Sequence, residues 1–371
     1  QEDVLRIVRD VAGMTLERAD QLRRELTGMN DEDRVRAMAK EFVDGAAARG
    51  VGADEAARIW ALVTNFVSYA YSKAHAATYA RISYQALVLK ARHPAAFFAA
   101  VLANGGGFYE ARAYVEEARR RGARILLPDI NRSEPSDTFE PPDAVRIGVG
   151  RVRDLTERTL DAILKRRPFV SLTDFLHRVP EAQRREAEHL VLTGCFDAFD
   201  GTRPEKLWRV LLQRKRSSAP RPPDLLGGAA SLPPERAFPA LKEYDAAKAV
   251  ALEQELLGLT PTAHPLSFFE EHARAAGAVR TVDVAGMAGR EVVVAGWMTT
   301  YRRIRTRKGE LMKFVTLEDR WGVVEVNFFP DAYRRCGHVL LGYGPYLVRG
   351  RADDHLGAVT VTGRDAELLT L

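Results

Sequence analysis

The chain has only two cysteines, Cys195 and Cys336, in 371 residues. They lie far apart, and neither has a cysteine or histidine at zinc-ligand spacing. A disulfide framework and a structural zinc site are therefore not expected, and both read as inert thiols in a reducing compartment. No run of about 18 apolar residues occurs, so no membrane-spanning helix is expected. No secretory leader opens the chain, and a cytoplasmic location is expected. A Gly-rich phosphate loop ending in Lys-Ser/Thr is missing. The eight histidines are too scattered for a metal phosphoesterase site. Also missing is an Asp-x-Asp pair in a strand context. Asp353-Asp354 reads as a polar turn, and Asp31-Glu32-Asp33 opens a helix. Two-metal phosphoryl transfer needs gathered carboxylates to hold its magnesium ions, and this chain is expected to bind no cofactor. The first residue is Gln1, which suggests a fragment or a processed chain.

What remains is ample for packed cores. Apolar residues make up 46% of the chain, and its length suits two to four units. The net charge of +5 permits a nucleic-acid partner without demanding one. Helical periodicity runs through residues 1–133, with stops at Gly13 and Gly122 and a break at Asn104 to Gly107. Arg124 to Leu127 reads as a short strand, and 134–142 as a loop. Short helices with tight turns fill the rest of a 134–216 module. Residues 217–285 hold a proline-rich linker followed by a helical connector. From Gly289 the period changes to two, giving strands over Glu291–Tyr301, Leu311–Leu317, Val323–Phe329, Tyr346–Arg351 and Ala358–Thr362, with a helix at Asp331–Cys336. Five strands with a helix between the third and fourth is the order of an OB-fold barrel, placed at 286–371. The fold class expected is multidomain, mostly α-helical and then β-barrel.

Two stretches interleave cations with aromatic rings, which suits a phosphate-bearing partner with stackable bases. From Tyr69 to Pro94, Lys73, His75, Arg81, Lys90, Arg92 and His93 stand among Tyr69, Tyr71, Tyr79 and Tyr84. Later, the loop between the first two barrel strands carries Arg303, Arg305, Arg307 and Lys308 beside Trp297, Tyr301, Lys313 and Phe314. Loops at that place grip single strands in OB-folds. On the third strand, one of the two alternating faces must be core. The competing reading of both stretches is a solvated charged face.

These motifs resemble the bacterial DNA polymerase III alpha subunit across almost the whole chain. Tyr71-Ser72-Lys73-Ala74-His75, Tyr84-Gln85 and Leu89-Lys90 are similar to its fingers region, and so is Ala19-Asp20-Gln21-Leu22-Arg23-Arg24. The resemblance implies that Arg23, Arg24, Lys73 and His75 contact the nucleotide or template. The family's Gly-Lys-Lys after the arginine pair is replaced here by Gly28-Met29-Asn30. Gly107-Phe108-Tyr109 and Leu127-Pro128-Asp129-Ile130-Asn131 match as well and read as structural. Val145 to Trp208 resembles the family's helix-hairpin-helix region, in which backbone amides bind phosphate, with Arg146 to Thr156 as the matching frame. There Asp154-Leu155-Thr156 stands where the family has Gly-x-Gly, and Arg151 and Arg153 remain as basic contacts to DNA. Leu225 and Leu226 stand where a sliding clamp would be bound, without the usual glutamine or aromatic. Leu317 to Gly322 matches Leu-x-Asp-x-x-Gly.

The resemblance implies the C-terminal portion of a DNA-directed DNA polymerase, inactive alone, whose magnesium ions sit on a palm outside this chain. It implies DNA, primer-template or single-stranded, as partner, together with a sliding clamp and other replisome subunits. A stand-alone DNA-binding accessory protein and a non-catalytic remnant are the alternatives.

Overall fold

Apolar residues recurring every three or four positions build the first four helices: α1 (Glu2–Ala12), α2 (Leu16–Leu26), α3 (Glu32–Ala47) and α4 (Ala53–Val67). Thr15 caps α2 by accepting the Arg18 amide, and Gly13 ends α1 in the left-handed conformation. Their apolar faces meet around Val8, Leu22 and Phe42, with the Phe42 ring 5.4 Å from that of Trp60. A long helix, α5 (Lys73–Arg92), follows and buries none of its residues.

The computed structural model describes residues 1–27, 32–67, 71–105, 107–217 and 240–370. These form two compact units, Gln1–Val88 and Leu89–Leu371.

The second unit opens with α6 (Pro94–Ala103) and α7 (Ala111–Arg120). They pack on a small sheet of β1 (Arg124–Leu126), β2 (Thr138–Glu140) and β3 (Ala144–Arg146), in the order β1-β3-β2. The expected loop at 134–142 thus contains a strand. Three residues are too few to show a period, and β2 is held from the side by Arg132 and Arg146 on Glu140. Next come α8 (Glu157–Arg166), α9 (Leu172–Arg178), α10 (Arg184–Leu192) and α11 (Arg203–Ser217). They share one core built on Phe98, Ile147, Ile163, Phe175 and Phe196. The connectors α12 (Ala246–Leu257) and α13 (Glu270–Ala275) lead to the barrel.

The barrel consists of β4 (Glu291–Arg305), β5 (Leu311–Glu318), β6 (Val323–Phe328), β7 (Tyr346–His355) and β8 (Ala358–Leu368), with α14 (Pro330–Cys336) between the third and fourth strands. It closes in the order β4-β5-β6-β8-β7. This is the expected OB-type order, and helices followed by a closed barrel is the expected fold class. Val324, Val326 and Phe328 form the inner face of β6. Closure needs glycine where β7 meets β8: Gly350 pairs with Gly363, and a Cβ on Gly363 would lie 2.7 Å from the Phe328 ring. The last two strands are longer than expected. Asp353 and Asp354 lie within β7, paired with Thr360 and Val359, and the turn is Leu356-Gly357, where φ is positive at both residues. As neighbours on one strand the two aspartates point to opposite faces, so they form no metal-binding pair.

Candidate nucleic-acid interface

Strands β4 and β5 stay paired out to Arg305 and Leu311, where a turn from Thr306 to Glu310 joins them. Within residues 302–308 stand five cations: Arg302, Arg303, Arg305, Arg307 and Lys308. All five are exposed, and none has a carboxylate partner among the described residues. Arg305 donates only to the Gly309 carbonyl (3.0 Å), while Glu310, the acid in the turn, is drawn aside to Arg334 (2.9 Å). Most arginines elsewhere in this unit are neutralised. Arg349 pairs with Glu367, Arg364 with Glu291, Arg166 with Glu181 and Arg203 with Asp197. The β4–β5 ribbon is therefore a concentrated, uncompensated positive field.

The aromatic residues assigned to this surface divide. Tyr301 is exposed, whereas Trp297 and Phe314 are half-buried. Phe314 is paired with Arg302, a cation the sequence reading did not single out as a contact. Lys313 must be withdrawn from the contact set. It is buried, its ammonium donates to the Leu340 carbonyl (2.6 Å), and it lies 4.2 Å from the centre of the Tyr301 ring. Burial pushes its pKa down, with the Arg303 charge adding to the effect. Its partner is 27 residues away in the chain, so no local pattern could have placed it inside.

The helix-hairpin-helix region also differs from a phosphate-binding one. Asp154 holds the left-handed conformation (φ 62°) that a glycine would take there, and its carboxylate lies 3.0 Å from Arg185. The amide and hydroxyl of Thr156, the cap of α8, both donate to Glu186 Oε1 at 2.8 Å. The Glu186 carboxylate also takes the Thr159 hydroxyl and the Gln183 amide. Burial raises its pKa, but these donors outweigh that and hold it below the ordinary carboxylate value. At the start of α11, the Thr202 amide goes to Glu205 and the Arg203 amide to Glu243. Each helix start therefore already holds an internal carboxylate where a phosphate would sit. Arg151 is committed to the buried carboxylate of Asp137. Arg153 reaches only the Glu255 carbonyl, at 3.4 Å.

In the first unit, Arg23 and Arg24 both pair with Asp20, at 2.8 and 2.6 Å. Arg23 is largely covered and Arg24 is exposed. Lys73 and His75 lie in the first turn of α5 and are exposed. The His75 ring sits between those of Tyr71 (5.3 Å) and Tyr79 (4.5 Å), an exposed aromatic row at four-residue spacing. Tyr69, Leu225 and Leu226 lie outside the described residues.

Buried charge ties α7 to the barrel. Arg120 reaches Glu318 at the end of β5 (2.8 Å), and Arg112 donates to the Met298 carbonyl on β4 (2.6 Å). Burial pushes the Glu318 carboxyl up to about 7, helped by the nearby Glu116 and opposed by Arg120. Next to it, Asp319 accepts the Thr281, Trp321 and Gly322 amides, each at 2.8 Å. The Leu-x-Asp-x-x-Gly signature is thereby explained as a turn-building device. No group of three or more His, Cys, Asp or Glu gathers as metal ligands among the described residues. No described helix is long and apolar enough to cross a membrane.

Comparison with known proteins agrees with this architecture. The bacterial DNA polymerase III alpha subunit finger domain matches residues 1–50, and a helix-hairpin-helix motif matches residues 122–206. An error-prone DNA polymerase of Symbiobacterium thermophilum is 33% identical over 415 residues, covering 100% of this chain and 38% of that protein. The DNA polymerase III subunit alpha of Escherichia coli K12 is 31% identical over 387 residues, covering 98% of this chain and 33% of its own length. An error-prone DNA polymerase of Mycolicibacterium paratuberculosis is 31% identical, with 100% of this chain and 34% of that protein covered. The chain thus spans between 33% and 38% of the length of these relatives. Helices matching the fingers, a helix-hairpin-helix module and an OB-type barrel in that order identify the chain as a portion of a protein of the bacterial DNA polymerase III alpha family.

Proposed function

We propose that this chain is the nucleic-acid-holding part of a DNA-directed DNA polymerase working in replication or repair, and that its β4–β5 ribbon grips single-stranded DNA. The observation that carries this reading is the cluster of five exposed cations without carboxylate partners, on the loop where OB barrels hold single strands. In this reading the magnesium-dependent step uses carboxylates that this chain does not itself supply. Alone the chain binds DNA and does not extend a primer. Arg23, Arg24, Lys73 and His75 serve the nucleotide or template, Leu225 and Leu226 a sliding clamp, and the working assembly is cytoplasmic.

The test is equilibrium binding of an unstructured single-stranded oligodeoxynucleotide at several salt concentrations. Each phosphate neutralised contributes a slope of about 0.7 in log K against log salt, so five contacts give a slope of about −3.5. Affinity should then fall about a hundredfold between 50 and 200 mM salt. A slope near zero refutes the reading. Magnesium-dependent primer extension by the pure chain would refute the claim that its chemistry lies elsewhere.

A further inference from the structure

The loop before α7 carries two exposed rings that a purely structural role does not require. Phe108 is 86% exposed and Tyr109 is 48% exposed. Gly107 and Tyr109 are nevertheless both held against Tyr114 of α7. Gly107 takes a φ of +129°, and a Cβ there would lie 1.9 Å from the Tyr114 hydroxyl. That hydroxyl accepts the Tyr109 amide at 3.3 Å. The loop therefore closes on Tyr114 and turns Phe108 and Tyr109 outward, edge to face with centroids 5.2 Å apart.

Opposite them, Tyr301 of β4 and Tyr343 of the segment before β7 complete a cleft of about 500 Å³. This size lies in the range of small-ligand sites. The single carboxylate lining the cleft, Glu110, is already satisfied: one oxygen pairs with Arg112 (2.9 Å) and the other accepts the Tyr343 hydroxyl (3.2 Å). Arg112 in turn stacks on the Tyr343 ring at 4.2 Å and fixes it. The walls are thus aromatic and close to neutral, which favours a flat, uncharged π-system over a phosphate. The Lys313 ammonium lies 4.2 Å from the centre of the Tyr301 ring, and Arg302 and Arg303 follow Tyr301 directly, so positive charge borders the cleft on its β4 side.

We propose that Phe108, Tyr109, Tyr301 and Tyr343 form a stacking subsite for one unpaired nucleobase of the strand whose phosphates run along the β4–β5 ribbon. The subsite rests on the single-strand reading given above. A base within a duplex has both faces covered by its neighbours, so the cleft selects unpaired nucleotides. Every base offers a π-face, so it selects no sequence.

The experiment measures single-stranded oligodeoxynucleotide binding by the full chain and its variants, with photo-crosslinking of an iodouracil-bearing strand. Stacking on one aromatic side chain is worth about tenfold in affinity. Phe108→Ala should bind about tenfold more weakly with an unchanged salt slope, Phe108→Trp should restore affinity, and crosslinks should map to the four rings. The double variant Arg303→Ala/Arg305→Ala should instead flatten the slope by about 1.4. Native affinity in Phe108→Ala, with the arginine variant still flattened, overturns the subsite and leaves the single-strand reading intact. Weakening that tryptophan does not rescue, or that changes the slope, also overturns it, as does crosslinking only to the ribbon. A native chain with no salt-dependent binding overturns both.

Discussion

Replacing Glu318 by glutamine while scanning pH isolates a buried carboxyl that couples the helices to the barrel. Glu318 is buried, with Arg120 at 2.8 Å and Thr299 at 3.4 Å, and Glu116 and Arg112 close enough to act on it through their charge. Its pKa is moved from 4.5 to about 7, chiefly by burial. Each pKa unit is worth about 1.4 kcal/mol, so the displacement amounts to ~3 kcal/mol. The folded protein holds this proton more tightly than the unfolded chain. Between those two pH values the unfolded state therefore binds fewer protons, and stability falls as pH rises. The contribution is fully present below pH 4.5 and is lost as pH rises through about 7. His264 works in the opposite sense. Burial among Arg119, Arg120 and Arg112 lowers its pKa to about 3, so stability falls as pH drops below its unfolded value of 6.5. The two slopes offset each other in the native protein between pH 4.5 and 6.5, which would hide the effect in a single profile. The difference between native and Glu318→Gln removes His264 from both sides. Urea unfolding followed by tryptophan fluorescence, from pH 4.5 to 8, should show the native protein losing ~3 kcal/mol relative to the variant. A flat difference, or one that favours the native protein at high pH, refutes a carboxyl titrating near neutrality.

Two further substitutions test the structural account. Asp319→Ala strips the acceptor from three amides and the Thr281 hydroxyl, and should cost about 3–5 kcal/mol, read as a lowered urea midpoint; a change below 1 kcal/mol would show that the turn holds without it. Glu186→Ala uncovers the start of α8 and should cost about 3 kcal/mol while leaving oligonucleotide affinity unreduced, because the hairpin is not its phosphate site; a folded variant with lost affinity would show the opposite.

Much of the fold is legible in the sequence because period and punctuation are strong there. Gly13 and the apolar spacing fix α1 and α2, and alternation places all five barrel strands, although β8 runs on to Leu368 rather than ending at Thr362. Strand ends were missed where polar residues continue the pairing, as at Asp353 and Asp354, since a ladder needs backbone partners and not apolar side chains. Strand β1 is legible as the apolar run closed by Pro128, whereas the three-residue strands β2 and β3 fall below the length at which alternation can be seen. Function was harder to read, because identical residue types have opposite fates. Arg151, Arg303 and Lys313 look equally basic in sequence. One is consumed by Asp137, one is exposed, and one is buried against the Leu340 carbonyl, and each outcome depends on residues distant in the chain. Phe108 failed in the reverse direction: an aromatic residue in a turn motif reads as packing, yet it faces solvent.

The net charge of +5 is therefore a poor guide to where nucleic acid would bind. A surface arginine paired with a carboxylate presents a dipole whose field is screened within about a Debye length, ~8 Å in physiological salt. An unpaired one presents a full charge. After pairing is accounted for, the cations of α10, β7 and β8 are largely cancelled by Glu188, Glu367 and Glu291, whereas the β4–β5 ribbon is not. The same accounting disfavours the hairpins, whose helix starts already hold Glu186, Glu205 and Glu243. In this chain the residues that resemble a phosphate-binding motif most closely are those best occupied internally. Among the described residues of the second unit, the basic ribbon and the aromatic cleft beside it stand open to a strand.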